Sequence, residues 1–278
     1  MITELLQYDF FLNALWAAVF ASITCGVIGT YIVSNRIVFL SGGITHSSFG
    51  GIGVGYYLGI NPIIGAAIFS VISGLGIEFF SKKGKVRYDS MIGIWWSLGM
   101  AVGIIFIYLA PGYAPNLMTY LFGSILTVSQ GDLLFMALLT GVVILFFILF
   151  YHIILFISFD EDYARVFGLP VNAMKNMLIG LVALTIVINI KVVGIILLIS
   201  LLTIPQAIAN HFTQIFKRMI YYSILTGFIG VISGLLFSYY FDIPSGASII
   251  FALVVLFALV KLLLYLKNSF LPIKDSAH

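Results

Sequence analysis

The sequence predicts an all-α polytopic bundle of about eight or nine transmembrane helices. Only 8% of its 278 residues are Asp, Glu, Lys or Arg, and the mean hydropathy is +1.18. Residues 37–77 and 90–131 contain no charged side chain, and each run is about twice what one bilayer crossing needs. A soluble chain places about a quarter of its residues as charge, so much of this surface must face lipid. Barrel strands alternate apolar and polar positions, whereas 142–150 and 249–260 are apolar throughout, which selects helices.

Nine segments are long enough to cross or enter the bilayer: 10–34, 45–59, 63–80, 91–110, 133–157, 174–190, 192–210, 219–240 and 247–266. The first is expected to be a span and not a cleaved leader, because residues 1–9 hold no basic side chain. In the second, Ser47, Gly51, Gly55 and Gly59 recur every fourth residue, a ridge that lets helices approach at backbone contact. Lys82, Lys83, Lys85 and Arg87 mark the loop after the third as cytoplasmic. Arg36, Lys217, Arg218 and Lys267 fall on that same side if every segment crosses, leaving 113–116 and 242–245 outside. Between the fifth and sixth segments, Asp160, Glu161 and Asp162 favour a helix start, and Gly168 and Pro170 supply a stop. A cytoplasmic helix of about two turns is expected there, with Ala164 and Phe167 on one face. Pro205 interrupts the seventh segment, and Gln206 and Asn210, four apart, project near the break. A structural kink and the lining of a path both account for them.

No linker or composition break divides the chain, so residues 1–278 read as one transmembrane domain. The net charge of +3 is scattered, which argues against a nucleic-acid partner. A lone cysteine, Cys25, rules out an internal disulfide or a multi-thiolate metal cage. Gly84-Lys85 is followed by Val86, not Ser or Thr, so the chain has no phosphate-binding loop and is not expected to hydrolyse ATP alone. His46 is the only histidine in the uncharged run 37–77. A polar group at membrane depth faces a cavity or a partner, and neutral imidazole binds borderline metals. Hydrogen bonding to a neighbouring helix is the plainer account. His152 and His211 sit near cytoplasmic ends, where snorkelling explains them.

In order along the chain come 41–59, Asp89-Ser90-Met91-Ile92-Gly93, Leu121-Phe122-Gly123-Ser124-Ile125-Leu126, 159–171, Val193-Gly194 through Ile204-Pro205, and Asp242-Ile243-Pro244-Ser245-Gly246-Ala247. With this ordered set the chain resembles the permease subunit of ABC importers for zinc, manganese or iron, the ABC-3 family. The resemblance implies a homodimer in a prokaryotic cell membrane, two cytoplasmic ATPase subunits that use ATP, and an extracytoplasmic solute-binding protein. It also implies a transported divalent ion, no permanently bound cofactor and no catalytic residues. Asp160, Glu161, Asp162, Ala164, Arg165, Phe167 and Gly168 then correspond to the element that couples to the ATPase. Family members carry an acid three residues before the histidine matching His46; here that position is Gly43. His46 is left as the main transient metal contact, which favours zinc over manganese or iron. Gly43, Ser47, Gln206, Asn210 and Asp242 are the candidates for lining the path. A permease for a metal chelate of the siderophore or cobalamin type is the near alternative. A remote one is an intramembrane hydrolase using Ser124 or Ser47 with His46 or His211, against which stands the lack of HExxH and GxSxG motifs.

Overall fold

A computed structural model describes residues 7–84, 86–111, 123 and 125–270. Among them the chain forms α1 (Asp9–Ser34), α2 (Val38–Leu58), α3 (Pro62–Lys83), α4 (Tyr88–Leu109), a short 3₁₀ turn (Ile125–Thr127), α5 (Gln130–Leu149), α6 (Tyr151–Phe159), α7 (Glu161–Val166), α8 (Val171–Leu201), α9 (Ile204–Phe212), α10 (Phe216–Phe241) and α11 (Ser245–Phe270). Local chemistry sets several starts. Asn61 Oδ1 accepts from Ile63 N–H ahead of Pro62, and Ser129 with Asp132 forms a reciprocal capping box on α5.

Seven of the described stretches are long and apolar enough to cross a membrane, one of them the 42-residue run Val171–Phe212. Within its most apolar 18-residue stretch 72% of the residues are buried, and 56% in the corresponding stretch of α1, against 11% in that of α11. The α1 and α8–α9 elements therefore form the centre, and α11 offers most of its surface to lipid.

Val171–Phe212 is not one straight crossing. Gly194 sits at φ 78, ψ 165 inside it, a conformation open only to glycine. The two ends lie at one face of the bundle: Lys175 pairs with Glu161 of α7, while Asn210 lines a cavity with Ser158 and Phe159. Lys191, near the bend, pairs instead with Asp132 at the start of α5, at the opposite face. The chain thus turns back at Gly194. Gly123, itself at φ 59, packs so closely there that a Cβ on it would overlap the Gly194 backbone.

Three expected boundaries are corrected. Helix α2 starts at Val38, not at 45, because its Ser and Gly residues at 41–43 are covered by neighbouring helices and tertiary packing overrides their weak helix propensity. The 133–157 segment breaks at Phe150 (φ −106, ψ 14) into α5 and α6. The 192–210 segment breaks again at Thr203, so Pro205 occupies the second position of α9 and not a helix interior, a place where its missing N–H costs nothing. Residues 113–116, Leu121, Phe122 and Ser124 lie outside the described residues.

Candidate functional site

The site is built around α2, which α3 and α4 grip from two sides. A Cβ on Gly51 or Gly55 would run into the backbone of Gly65 or Pro62 of α3. A Cβ on Gly50 or Gly53 would strike Gly99 or Gly103 of α4. The every-fourth-residue ridge is therefore not a single seam. Gly51 and Gly55 face α3, Ser47 lies beneath Gly99 of α4, and Gly59 ends the helix at φ 68 with open space around it. Small residues on both faces bring three backbones together and hold α2 rigid.

His46 lies in the third turn of α2 and does not begin the helix. Its imidazole is half-buried and stacks on the indole of Trp96, with ring centroids 4.0 Å apart and planes 8° apart. No hydrogen bond from a described residue reaches either ring nitrogen, and the ring is held by its face against Trp96. One turn earlier, Gly43 is buried against α4, where a Cβ would overlap Ile92 Cγ2. An acidic side chain at 43 would have to push that methyl aside. Ser47 is wholly buried, and its hydroxyl donates to Ile44 O at 3.0 Å within its own helix.

The other lining candidates are not gathered with His46. Gln206 is fully buried between α1 and the α8–α9 break, where its Nε2 donates to Cys25 O at 2.8 Å and Leu201 O at 3.2 Å. The second bond has a clear cause. Leu201 closes α8, so its carbonyl has no donor within the helix, and the Gln206 side chain supplies one. Asn210 is exposed at the α7 end of the bundle, bordering a cavity of about 360 Å³ with Arg36 and Ser158. Asp242 stands at the other end in a left-handed conformation (φ 53), at the rim of a cavity of about 440 Å³ with Phe10, Phe11 and Ser245. Among the described residues no three His, Cys, Asp or Glu side chains gather to hold a metal.

The short helix α7 is strongly pinned. Asp160 Oδ1 caps it by accepting from Tyr163 N–H at 2.9 Å. Leu169 N–H bonds Ala164 O and Gly168 N–H bonds Arg165 O, with Gly168 at φ 74, which closes the helix with a Schellman motif. Ala164 is fully buried, whereas Val166 and Phe167 are 84% and 66% exposed. Asp162 lies in the first turn. Glu161 pairs with Arg165 in its own helix and with Lys175 of α8 at 2.7 Å, and Lys175 also reaches Glu78 of α3 at 3.4 Å. Burial raises the Glu161 pKa, but hydrogen bonds from Lys175 and Arg165 outweigh it and hold the carboxyl below its ordinary range. Glu78, Lys175 and Trp96 escaped the sequence reading. A lone lysine at the start of the apolar 174–190 segment was the available signal for Lys175; nothing local marked Trp96 as the partner of His46.

A model of the ABC 3 transport family matches residues 7–264. The chain belongs to that family. It is 43% identical over 249 residues to an uncharacterized membrane protein of Synechocystis, covering 90% of this chain and 89% of the relative. It is 36% identical over 256 residues to the manganese transport system membrane protein MntC of Halalkalibacterium halodurans, covering 92% and 88%. Among solved structures, PsaBC from Streptococcus pneumoniae in complex with Fab is similar at 30% identity and a TM-score of 0.84, over 94% of this chain and 95% of that one. This ABC 3 family member is a multi-pass membrane permease of ABC type and not an enzyme. The hydrolase reading is set aside; of its residues, Ser47 is spent on helix packing and Ser124 lies outside the described residues.

Proposed function

We propose that this permease imports a divalent first-row transition metal, with His46 as a transient ligand. The observation that carries the reading is the His46 ring, held flat by Trp96 with no hydrogen-bond partner for its nitrogens among the described residues, on a helix packed at backbone contact against α3 and α4. A path must strip part of the hydration shell without making a deep trap, and one imidazole per protomer meets that need better than a closed tetrahedral site. Two protomers would bring two such rings to a shared path. The absence of an oxygen ligand at Gly43 supports zinc; the relatives named for manganese transport support manganese equally. An extracytoplasmic binding protein would deliver the ion near Asp242, and the exposed Val166 and Phe167 of α7 would seat in a cytoplasmic ATPase.

The test is uptake of radiolabelled manganese and zinc, each competed by the other, into vesicles holding the assembled complex with its ATPase and binding protein. ATP-dependent accumulation of one ion, lost in His46→Ala while the complex still assembles, is the expected result. Undiminished accumulation in that variant would remove His46 from the mechanism.

A further inference from the structure

A groove of about 460 Å³ runs between α1, α5–α6 and α10. Helices α1 and α10 meet at close range where Ile224 rests on Gly26. The break at Phe150 carries the α5–α6 chain away, so that it meets the start of α10 through the Tyr151 and Phe216 rings, 6.3 Å apart. A furrow is left along the outside of the bundle. Its walls are apolar, with Ile23, Ile148 and Ile224 contributed by the three elements, and its end toward the α7 face carries Tyr151, His152 and Lys217. No acidic side chain lines it, and Lys217 has no ion-pair partner among the described residues.

An apolar furrow closed by an unpaired cation and ring donors, at the cytoplasmic edge of a membrane protein, matches a phospholipid in shape and charge. The geometry points to a binding site for an anionic phospholipid, with one acyl chain along the groove and the headgroup phosphate at Lys217, His152 and Tyr151. Basic pockets between transmembrane helices at the cytoplasmic side are suited to such headgroups. The lipid would fill the gap that the Phe150 break opens and tie α5–α6 to α10.

The test uses the full permease, purified in mild detergent and equilibrated with equal phosphatidylglycerol and phosphatidylcholine, with retained lipid read by native mass spectrometry. Phosphatidylglycerol should be preferred about fivefold, the scale set by one lysine near an anionic surface. Lys217→Ala should abolish the preference and Lys217→Arg should keep it. Ile148→Trp, which fills the groove from its rim, should lower retention of both lipids. Lys267→Ala, a cytoplasmic-end lysine outside the groove, should change nothing. Four results would overturn the proposal: no preference in the unaltered protein; an equal loss in Lys267→Ala, which would make the effect bulk charge; displacement of the lipid by inorganic phosphate, which would make the site a plain anion pocket; or cross-linking of Ile148→Cys between two protomers, which would show a second copy covering the groove.

Discussion

The imidazole of His46 and the indole of Trp96 are stacked nearly parallel with centroids 4.0 Å apart, so the ring proposed to meet the ion is oriented by a residue fifty positions away on another helix. Aromatic stacking of this kind is worth about 1 kcal/mol beyond burial. Trp96→Leu keeps the apolar cover and removes the flat support, and is expected to slow ATP-dependent metal uptake about fivefold. The His46→Ala, Trp96→Leu double variant should be no slower than His46→Ala alone. A further drop in the double variant would give Trp96 a role of its own.

Helix α2 should be intolerant of even one added methyl where it crosses α3. Gly51→Ala drives a Cβ into Gly65 backbone atoms, which cannot rotate aside, and overpacking of that kind costs about 1–3 kcal/mol. Gly141→Ala on α5 meets nothing within 4 Å and gains about 1 kcal/mol of helix propensity. Thermal unfolding in detergent should therefore show a clear fall for the first and no fall for the second.

The α7 clamp predicts an acid-sensitive fold. Because the Glu161 pKa is depressed in the folded state, its contribution is fully present above the ordinary carboxylate range and is lost as pH falls through the lower folded value. The melting temperature should decline on acidification below about pH 4.5, and Glu161→Gln should be less stable at neutral pH with a shallower decline. Parallel pH profiles for the two proteins would mean that the Lys175 pair contributes nothing.

Gln206→Leu should destabilise the protein without touching the metal path. It removes the Nε2 donor to the carbonyl of Leu201 at the buried end of α8, a loss of about 1–3 kcal/mol. The check is a lowered melting temperature with metal uptake per folded complex unchanged. Reduced uptake in fully folded Gln206→Leu would return this residue to the path.

The membrane architecture was legible because absent charge and unbroken apolar runs are properties of composition, which do not depend on partners. The α7 helix was legible for a local reason: its acidic start at Asp160 and its stop at Gly168 are written in adjacent residues. The start of α2 at Val38 was not, since glycine and serine form helix there only under cover from α3 and α4. Gln206 and Asn210 share a spacing but not an environment, one buried and one exposed, because the break at Thr203 and the approach of Gly29 on α1 decide what each side chain meets. Pairings such as His46 with Trp96, or Lys175 with Glu78 and Glu161, depend on how distant helices come together, and spacing along one segment carries no trace of that.

The contact of Gly43 with Ile92 bears on which side chains position 43 accepts in descendants of this chain. A side chain introduced at 43 meets the Ile92 Cγ2 methyl, which must shift to admit it; shrinking Ile92 alone opens a void. Each single step carries a packing cost that the pair together relieves, so a carboxylate at 43 is best accommodated beside a smaller residue at 92.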